Sequence, residues 1–231
     1  MSNVHTFPRS VRDYQIRINS FNILDKPLVV DGMNGPATRN AIHQALANFS
    51  IGLDAEQKED LFDPSGITRI HWHWTAGSYT VSPFTLKHYN DVFDKEGNHY
   101  DGIAPAQQQA YYIPGRVGVS HTLNANTGAI GLSVACMAAA TVHGNVVNAG
   151  ISPITWAGID GMLERSAEYC RLFDIRVSKW TCLTHAEVQP TLGIRQRGKW
   201  DIRVLPDDLQ KYLTAEAVGE VLRTRMVDRF M

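Results

Sequence analysis

The chain has 231 residues, of which 44% are hydrophobic and 19% charged, and this is the composition of a folded globular protein. It excludes a disordered tail, a collagen-like repeat and a disulfide-rich miniprotein. Lys and Arg total 22 against 23 Asp and Glu, so the formal net charge of -1 predicts no nucleic-acid partner and no general attraction to an anionic membrane.

The N-terminal part of the sequence, residues 1–52, predicts a small helical module. Apolar side chains recur at helical spacing over residues 11–23, and a second helix is expected to begin near Pro36 after a turn-rich stretch. Residues 53–66 are rich in charge, which indicates a linker. The remaining residues, 67–231, are expected to form a second domain.

Strands and helices alternate in this second domain. The predicted strands cover 67–74, 130–137 and 177–184. The predicted helices are a short one leading into a strand within 85–93, a long one over 154–173, and one or two within 209–230. Residues 184–202 are expected to be a loop, because they contain a proline and two glycines. The alternation predicts an α/β domain with a mixed central sheet flanked by helices.

Several histidines lie at or near the ends of predicted strands, where side chains can converge on one cleft. They are His71, His73, His121 and His185. A catalytic zinc ion takes three protein ligands, leaves one position open, and works beside a donor that stabilises negative charge. His73, His185 and Asp201 would provide these ligands. Lys199, two residues before Asp201, would supply the stabilising cation.

Two other residues compete for a place among the ligands. His71 lies two residues before His73 on the same face of the strand, so periodicity does not separate them. Cys182 forms a C-x-x-H pattern with His185, but residues three apart on a strand point to opposite faces. The 3 cysteines lie in separate segments, and we expect buried free thiols rather than a disulfide framework. They are Cys136, Cys170 and Cys182.

Short motifs follow one another in order within residues 67–203. They are His73-Trp74-Thr75-Ala76, a tyrosine-led stretch from Tyr89 to Gly97, Ser120-His121 with Asn126 and Ala129-Ile130-Gly131, His185-Ala186-Glu187-Val188 with Pro190, and Lys199-Trp200-Asp201. In order and spacing they resemble the zinc-dependent N-acetylmuramoyl-L-alanine amidases. That family includes phage endolysins, bacterial muropeptide amidases and peptidoglycan recognition proteins.

The resemblance implies an amidase fold, a Zn²⁺ cofactor and roles for individual residues. It makes His73, His185 and Asp201 the zinc ligands. It makes Lys199 a catalytic residue that stabilises the oxyanion. His121 is expected to contact substrate or to support a ligand.

Proton transfer is the point at which this sequence departs from many members of the family. Those members carry a glutamate where this chain has Ser133, and a seryl hydroxyl cannot replace a carboxylate as a base. Phage-type members use a tyrosine from an earlier strand instead. This points to Tyr89 as the second catalytic residue, with Tyr111 and Tyr112 as alternatives.

Further substrate contacts are expected from Asn126 and from two arginines. Arg195 and Arg197 lie between His185 and Lys199, in a stretch that is longer than in compact members of the family. Their guanidinium groups would bind carboxylates of the stem peptide. The alternative is that they belong to a solvated loop.

The first 52 residues resemble a peptidoglycan-binding module of three helices. The residues that carry this likeness are Asp31-Gly32, Gly35-Pro36-Ala37-Thr38 and Ala41, which come close to the signature DG-x-x-GPAT-x-x-A. The alternative is a helical cap on the enzyme.

Together these resemblances imply a hydrolase that cleaves bacterial peptidoglycan between N-acetylmuramic acid and L-alanine. The longest apolar stretch, 128–142, is shorter than the roughly 18 residues of a membrane-spanning helix, and residues 1–14 contain no apolar core that could act as a secretory signal. We expect a monomeric phage or prophage endolysin, made in the host cytoplasm, that reaches the cell wall in the periplasm after membrane permeabilisation. A cytoplasmic muropeptide-recycling amidase and a non-catalytic peptidoglycan-binding protein are the alternatives.

Overall fold

The computed structural model describes residues 66–173 and 175–231 and part of the N-terminal segment, namely residues 15, 18, 19, 23–31, 33, 35–38, 40, 41 and 44. The chain divides into two compact units, Met1–Gly66 and Ile67–Met231. Most of the predicted helix over 11–23 lies outside the described residues, as does the predicted linker 53–66 apart from its last residue. Within the described part of the chain, no helix is long and apolar enough to span a membrane.

A buried glutamine connects the described parts of the N-terminal unit. Gln15 is 1% exposed, and its side-chain nitrogen donates hydrogen bonds to Asp31 Oδ1 at 2.7 Å and to Thr38 Oγ1 at 2.9 Å. Residues 36–38 are helical, as the sequence predicts. Asp31 of the Asp31-Gly32 motif and Thr38 of the Gly35-Pro36-Ala37-Thr38 motif therefore bond to the same side-chain amide. Peptidoglycan binding by the unit stays a prediction.

The second unit is built on a mixed sheet of five strands. In the order of the sheet these are β3 (His99–Asp101), β2 (Asp91–Phe93), β4 (Ala129–Val134), β1 (Arg69–Trp74) and β7 (Cys182–Thr184). β3 is antiparallel to β2, and the other neighbouring strands are parallel. β4 is buried along its whole length and β1 along nearly all of it, as expected for apolar strands inside a parallel sheet. The predicted mixed central sheet is confirmed.

Helices flank the sheet. They are α1 (Pro83–Leu86), α2 (Trp156–Leu172), α3 (His185–Leu192) and α4 (Ala215–Phe230), with a 3₁₀ helix at Ala106–Tyr111. A separate hairpin consists of β5 (Thr141–His143) and β6 (Val146–Asn148). Thr155 caps α2, because its side chain accepts a hydrogen bond from the backbone nitrogen of Gly158. α2 packs on β2, β4 and α4, and its Ile159, Met162 and Leu163 are fully buried.

The two faces of β1 have different surroundings. Trp72 points toward α2, where its indole nitrogen donates a hydrogen bond to Ser166 Oγ at 2.9 Å. Successive side chains of a strand point to opposite faces, so His71 and His73 lie on the face away from α2. The predicted ligand strand thus presents its histidines on one face and its aromatic core residues on the other.

Gly131 in β4 lets a histidine ring lie directly against this face. It pairs with His71 in the register of the two strands. A Cβ atom at position 131 would overlap the ring of His121. The glycine of the Ala129-Ile130-Gly131 motif is therefore required by close packing of an imidazole on the sheet.

Two predicted elements near the C-terminus are shorter than the sequence indicated. Of the strand predicted over 177–184, only Cys182–Thr184 is a strand, because the backbone turns so that the nitrogen of Cys182 bonds to Ser178 O at 3.0 Å. Of the helical region predicted over 209–230, only Ala215–Phe230 is helical.

The loop predicted for residues 184–202 begins instead with helix α3. Thr184 and Glu187 form a capping box, in which the threonine hydroxyl accepts from the backbone of Glu187 and the glutamate accepts from the backbone of Thr184. Gly193, with φ of +72°, ends the helix in the left-handed conformation that glycine adopts most readily. His185 is therefore the first residue of a helix.

The capping glutamate also belongs to a buried ion pair. Both carboxylate oxygens of Glu187 accept hydrogen bonds from Arg223 of α4, at 3.0 and 3.2 Å. Gly219 makes room for this carboxylate, since a Cβ atom there would overlap it. The pair fixes α4 against the helix that begins with His185.

Arg223→Met should lower the free energy of unfolding by about 3–5 kcal/mol, because it leaves the Glu187 carboxylate buried without its partner. The matched control is Arg229→Met, the same change in the same helix. Its ion pair with Asp160 is half-exposed, so the loss should be no more than about 1 kcal/mol. Urea denaturation of both variants measures the difference, and equal losses would contradict the role given to Arg223.

Candidate active site

Three predicted ligand residues come together at one end of the sheet. His73 lies in β1, His185 directly follows β7, and Asp201 lies in the loop after α3. One candidate ligand atom from each lies within 4.8 Å of the other two. Asp201 Oδ2 is 3.0 Å from Nδ1 of His73 and 3.0 Å from Nδ1 of His185. All three side chains are buried.

The backbone explains why these residues meet. β1 and β7 are parallel neighbours, so their carboxyl ends place His73 and His185 side by side, with ring centroids 4.7 Å apart. The backbone nitrogen of Ala186 donates to the carbonyl oxygen of Asp201 at 2.7 Å. This bond ties the loop that carries the carboxylate to the first turn of α3.

Burial and hydrogen bonding set the protonation states of the group. Burial lowers the pKa of His73 to about 4, so its imidazole is neutral near pH 7. Burial alone would raise the pKa of the Asp201 carboxyl, but where Nδ1 of His185 or of His73 carries a proton, its hydrogen bond to Asp201 holds that pKa well below its usual value. A neutral imidazole and an ionised carboxylate are the forms in which these side chains bind metal ions.

The contacts of Nε2 of His73 favour the tautomer whose Nδ1 atom carries no proton. Nε2 of His121 lies 3.0 Å from the carbonyl oxygen of Ala129 and donates to it, so Nδ1 of His121 is an acceptor. Nε2 of His73 lies 3.2 Å from that acceptor and donates to it. A neutral imidazole has one N–H, so Nδ1 of His73 turns a lone pair toward the Asp201 carboxylate. In that tautomer, a cation bound between the two atoms would balance the charge of the carboxylate.

A zinc ion fits this donor set. Imidazole nitrogens and carboxylate oxygens are zinc ligands, and atoms bound at about 2.0–2.1 Å in a tetrahedron lie about 3.3 Å apart. The separations of 3.0 Å around Asp201 Oδ2 are close to that value. His73, His185 and Asp201 would hold the ion and would leave one of its four positions open.

Tyr89 lies beside the group. Its ring centroid is 5.2 Å from that of His73. Burial raises the pKa of Tyr89 above its usual value, and the charge of Asp201 adds to the effect. The hydroxyl therefore keeps its proton at neutral pH. Ser133 occupies the register position opposite His73 on β4.

The two alternative tyrosines have other surroundings. The hydroxyl of Tyr112 is 2.7 Å from Ser120 Oγ. Tyr111 is the last residue of the 3₁₀ helix, and its hydroxyl is buried. The ring of Tyr89, by comparison, contacts the predicted ligand His73.

Lys199 lies two residues before Asp201 in the loop after α3. Its side chain is exposed, and its charge contributes to the low pKa of His73, which places it within electrostatic reach of the ligands. The next residue, Trp200, packs edge-on against Trp74 with ring centroids 4.7 Å apart. This aromatic contact fixes the loop that carries Lys199.

A cleft of about 640 Å³ adjoins the group at His121. Its lining includes Tyr112, Ser120, His121, Leu123 and Asn126. Asn126 shapes the wall, because its side-chain oxygen accepts from the backbone nitrogens of His121 and Thr122 at 2.9 and 2.8 Å. Arg195 and Arg197 are exposed in the loop before Lys199. Substrate contact by His121, by Asn126 and by the two arginines stays a prediction.

Two polar residues that the sequence did not single out complete the surroundings. Thr122 Oγ1 lies 3.1 Å from Nδ1 of His71 and 2.8 Å from Nδ1 of His121. Gln196 is 2% exposed, and its Oε1 lies 3.0 Å from Nε2 of His185. Thr122 could have been noticed as the residue after the Ser-His motif. Gln196 has no such signal, since it is a polar residue between two arginines in an expected loop.

The competing ligands take other positions. Nδ1 of His71 contacts Thr122, and His71 is outside the group around Asp201. The sulfur atom of Cys182 lies 3.7 Å from that of Cys170 in the core. The predicted buried, free cysteines are confirmed.

Asp91, His99 and Asp101 form a second group of potential ligands, at β2 and β3. Asp91 accepts hydrogen bonds from His99 at 2.6 Å and from Tyr169 at 2.8 Å, and Arg165 lies 3.5 Å away. The hydrogen bond to Asp91 raises the pKa of His99. Arg165 and the hydrogen bonds from His99 and Tyr169 thus balance the buried carboxylate, and we assign no metal there.

Comparisons with known proteins give weak likenesses. No protein-family model and no curated protein matches the sequence. The Ph2119 endolysin of the Thermus scotoductus MAT2119 bacteriophage Ph2119 is 14% identical, with a TM-score of 0.36 over 54% of this chain and 75% of that one. The N-acetylmuramoyl-L-alanine amidase LysC of Clostridium intestinale URNW is 14% identical, with a TM-score of 0.39 over 68% and 85%.

A third solved structure is the N-acetylmuramyl-L-alanine amidase AmiD of E. coli in complex with its substrate. It is 17% identical, with a TM-score of 0.37 over 52% of this chain and 49% of that one. Likenesses at this level do not assign an activity to this chain.

Asp201→Ala should lose bound zinc, because it leaves only two protein ligands. Lys199→Ala is the control from the same loop and should retain one zinc ion per chain, since its ammonium group is not a ligand. Elemental analysis of the purified variants measures the difference. If Asp201→Ala retains full zinc, the third ligand lies elsewhere, and His71 and Cys182 are the first residues to test.

Proposed function

We propose that this chain is a zinc-dependent amidase that cleaves peptidoglycan between N-acetylmuramic acid and L-alanine. The observation that carries the proposal is the convergence of His73, His185 and Asp201 on one buried point. These residues come from separate motifs, and they are the same three that the motif resemblance makes zinc ligands. Their lone pairs and charge call for a cation at that point.

Lys199 would stabilise the transition state of amide hydrolysis. Zinc bound at this site would supply Lewis-acid chemistry, polarising the amide carbonyl and activating water. Lys199, exposed in the loop that carries Asp201, would stabilise the negative charge that develops on the carbonyl oxygen. Because this charge appears only in the transition state, the contact would raise turnover rather than tighten substrate binding.

Tyr89 would act as a proton-bearing donor. Its raised pKa keeps the hydroxyl protonated at neutral pH, so that Oη can donate to the developing oxyanion or to the leaving nitrogen. Ser133, opposite His73, is not a base of useful strength. The chain would therefore handle its protons without the carboxylate that many amidases carry at that position.

The biological role that we propose is that of a phage or prophage endolysin. The cleft beside His121 would take the stem peptide, and Arg195 and Arg197 would bind its carboxylates. The N-terminal unit, with Asp31 and Thr38 held by one amide, would bind the wall. Wall binding favours an endolysin over a recycling amidase, because recycling acts on soluble fragments.

Mass spectrometry of peptidoglycan digests tests this function. Intact sacculi treated with the zinc-loaded protein should release stem peptides that begin with a free L-alanine amine, and chelation of the metal should abolish the release. Cleavage confined to soluble anhydro-muropeptides would favour the recycling amidase. Binding to sacculi with no cleavage would favour the non-catalytic protein. Products cut at glycosidic bonds would contradict the proposed reaction.

Tyr89→Phe should lower turnover by on the order of a hundredfold, because it removes one acid/base donor and little packing. Zinc content and stability should be unchanged. Tyr100→Phe is a matched control, since that exposed tyrosine hydroxyl bonds to Asp94 rather than to the ligand group. Release of stem peptide is the readout, and near-normal turnover of Tyr89→Phe would transfer the role to Tyr111, Tyr112 or water.

A further inference from the structure

Gln196 is a buried amide in a loop whose neighbouring side chains are exposed. It is 2% exposed, and its side-chain nitrogen donates to the carbonyl oxygens of Leu123 at 2.8 Å and Ile194 at 3.3 Å. Its side-chain oxygen lies 3.0 Å from Nε2 of His185. The backbone nitrogen of Gln196 donates to the side chain of Gln189 at 2.9 Å, which anchors the residue to α3.

These contacts determine which way the amide points. A carbonyl oxygen only accepts hydrogen bonds, so the side-chain NH₂ group of Gln196 must face Leu123 and Ile194. Its Oε1 atom must then face His185, and Nε2 of His185 must carry a proton in order to donate to it. The remaining ring nitrogen, Nδ1, is the one that lies 3.0 Å from Asp201 Oδ2.

We infer that Gln196 is a positioning residue that selects the metal-binding tautomer of His185. With the proton held on Nε2, the lone pair of the neutral ring is on Nδ1, where the ion would bind. The inference rests on the proposed function only in taking zinc as the ion. It gives His185 the same arrangement that His121 and Ala129 give His73, in which a chain of hydrogen bonds ends at a backbone carbonyl.

The same amide connects the ligand group to the wall of the cleft. Leu123 lies in the cleft lining beside His121, and its carbonyl oxygen is held by Gln196. The orientation of His185 and the position of this wall therefore depend on one side chain. Loss of the amide should affect zinc binding even though Gln196 does not contact the ion.

Two variants separate the contacts of this amide. Gln196→Met keeps the approximate volume and removes both polar groups, and it should weaken zinc binding by roughly ten- to a hundredfold, the effect typical of losing a ligand's outer partner. Gln196→Glu keeps an acceptor for Nε2 of His185 and loses the donor to Leu123. Its zinc affinity should stay close to that of the unmodified protein. Gln210→Met, the same change at an exposed glutamine, should leave the affinity unchanged.

Competition between each protein and a chromogenic chelator for zinc measures the affinities. Unchanged affinity in Gln196→Met, or equal losses in Gln196→Met and Gln196→Glu, would overturn the inference. NMR of the unmodified zinc-loaded protein gives a test that does not depend on any variant folding. A proton on Nε2 of His185 is expected, and coordination through Nε2 would overturn the assignment.

These readouts are independent of the reaction. If the unmodified protein binds zinc but leaves peptidoglycan uncut, the proposed function fails and the role of Gln196 stands. If it cuts peptidoglycan and Gln196→Met binds zinc normally, the function stands and the role of Gln196 fails.

Discussion

The charge balance around Asp201 Oδ2 is the constraint on which the candidate site depends. Two imidazole nitrogens lie 3.0 Å from this oxygen, and the outer nitrogen of each ring is engaged as a donor. The two chains of hydrogen bonds end at the carbonyls of Ala129 and Leu123, which cannot reverse their direction. In their neutral form, imidazoles held in this way would offer lone pairs to a cation bound beside the carboxylate, as the proposed zinc site requires.

The scaffold holds this charge cluster in place by short-range packing. Parallel β1 and β7 bring the two histidines to one end of the sheet, and Gly131 leaves space for the ring of His121. The ion pair of Glu187 with Arg223 then fixes the helix that begins with His185. Each of these packing interactions positions a predicted ligand or its immediate partner. A substitution that disturbs one of them should therefore weaken metal binding.

The sequence predicted the parts of this arrangement that depend on residue type and order. Apolar runs located β1, β4 and α2, and the motif order selected His73, His185 and Asp201 as candidates. The start of α3 was missed, since residues 184–202 were expected to be a loop, although Thr184 and Glu187 have capping-box spacing. The positioning role of Gln196 could not be predicted from the sequence, because it depends on the carbonyl oxygen of Leu123, 73 residues earlier in the chain.

X-ray absorption at the zinc edge tests the central claim most directly, because it reports the atoms bound to the ion. The account predicts one zinc ion per chain with only nitrogen and oxygen neighbours at about 2.0–2.1 Å, two of them imidazole nitrogens. A sulfur neighbour at about 2.3 Å would place Cys182 among the ligands, and a protein that takes up no zinc would remove the metal centre altogether. Either result would contradict the site described around Asp201.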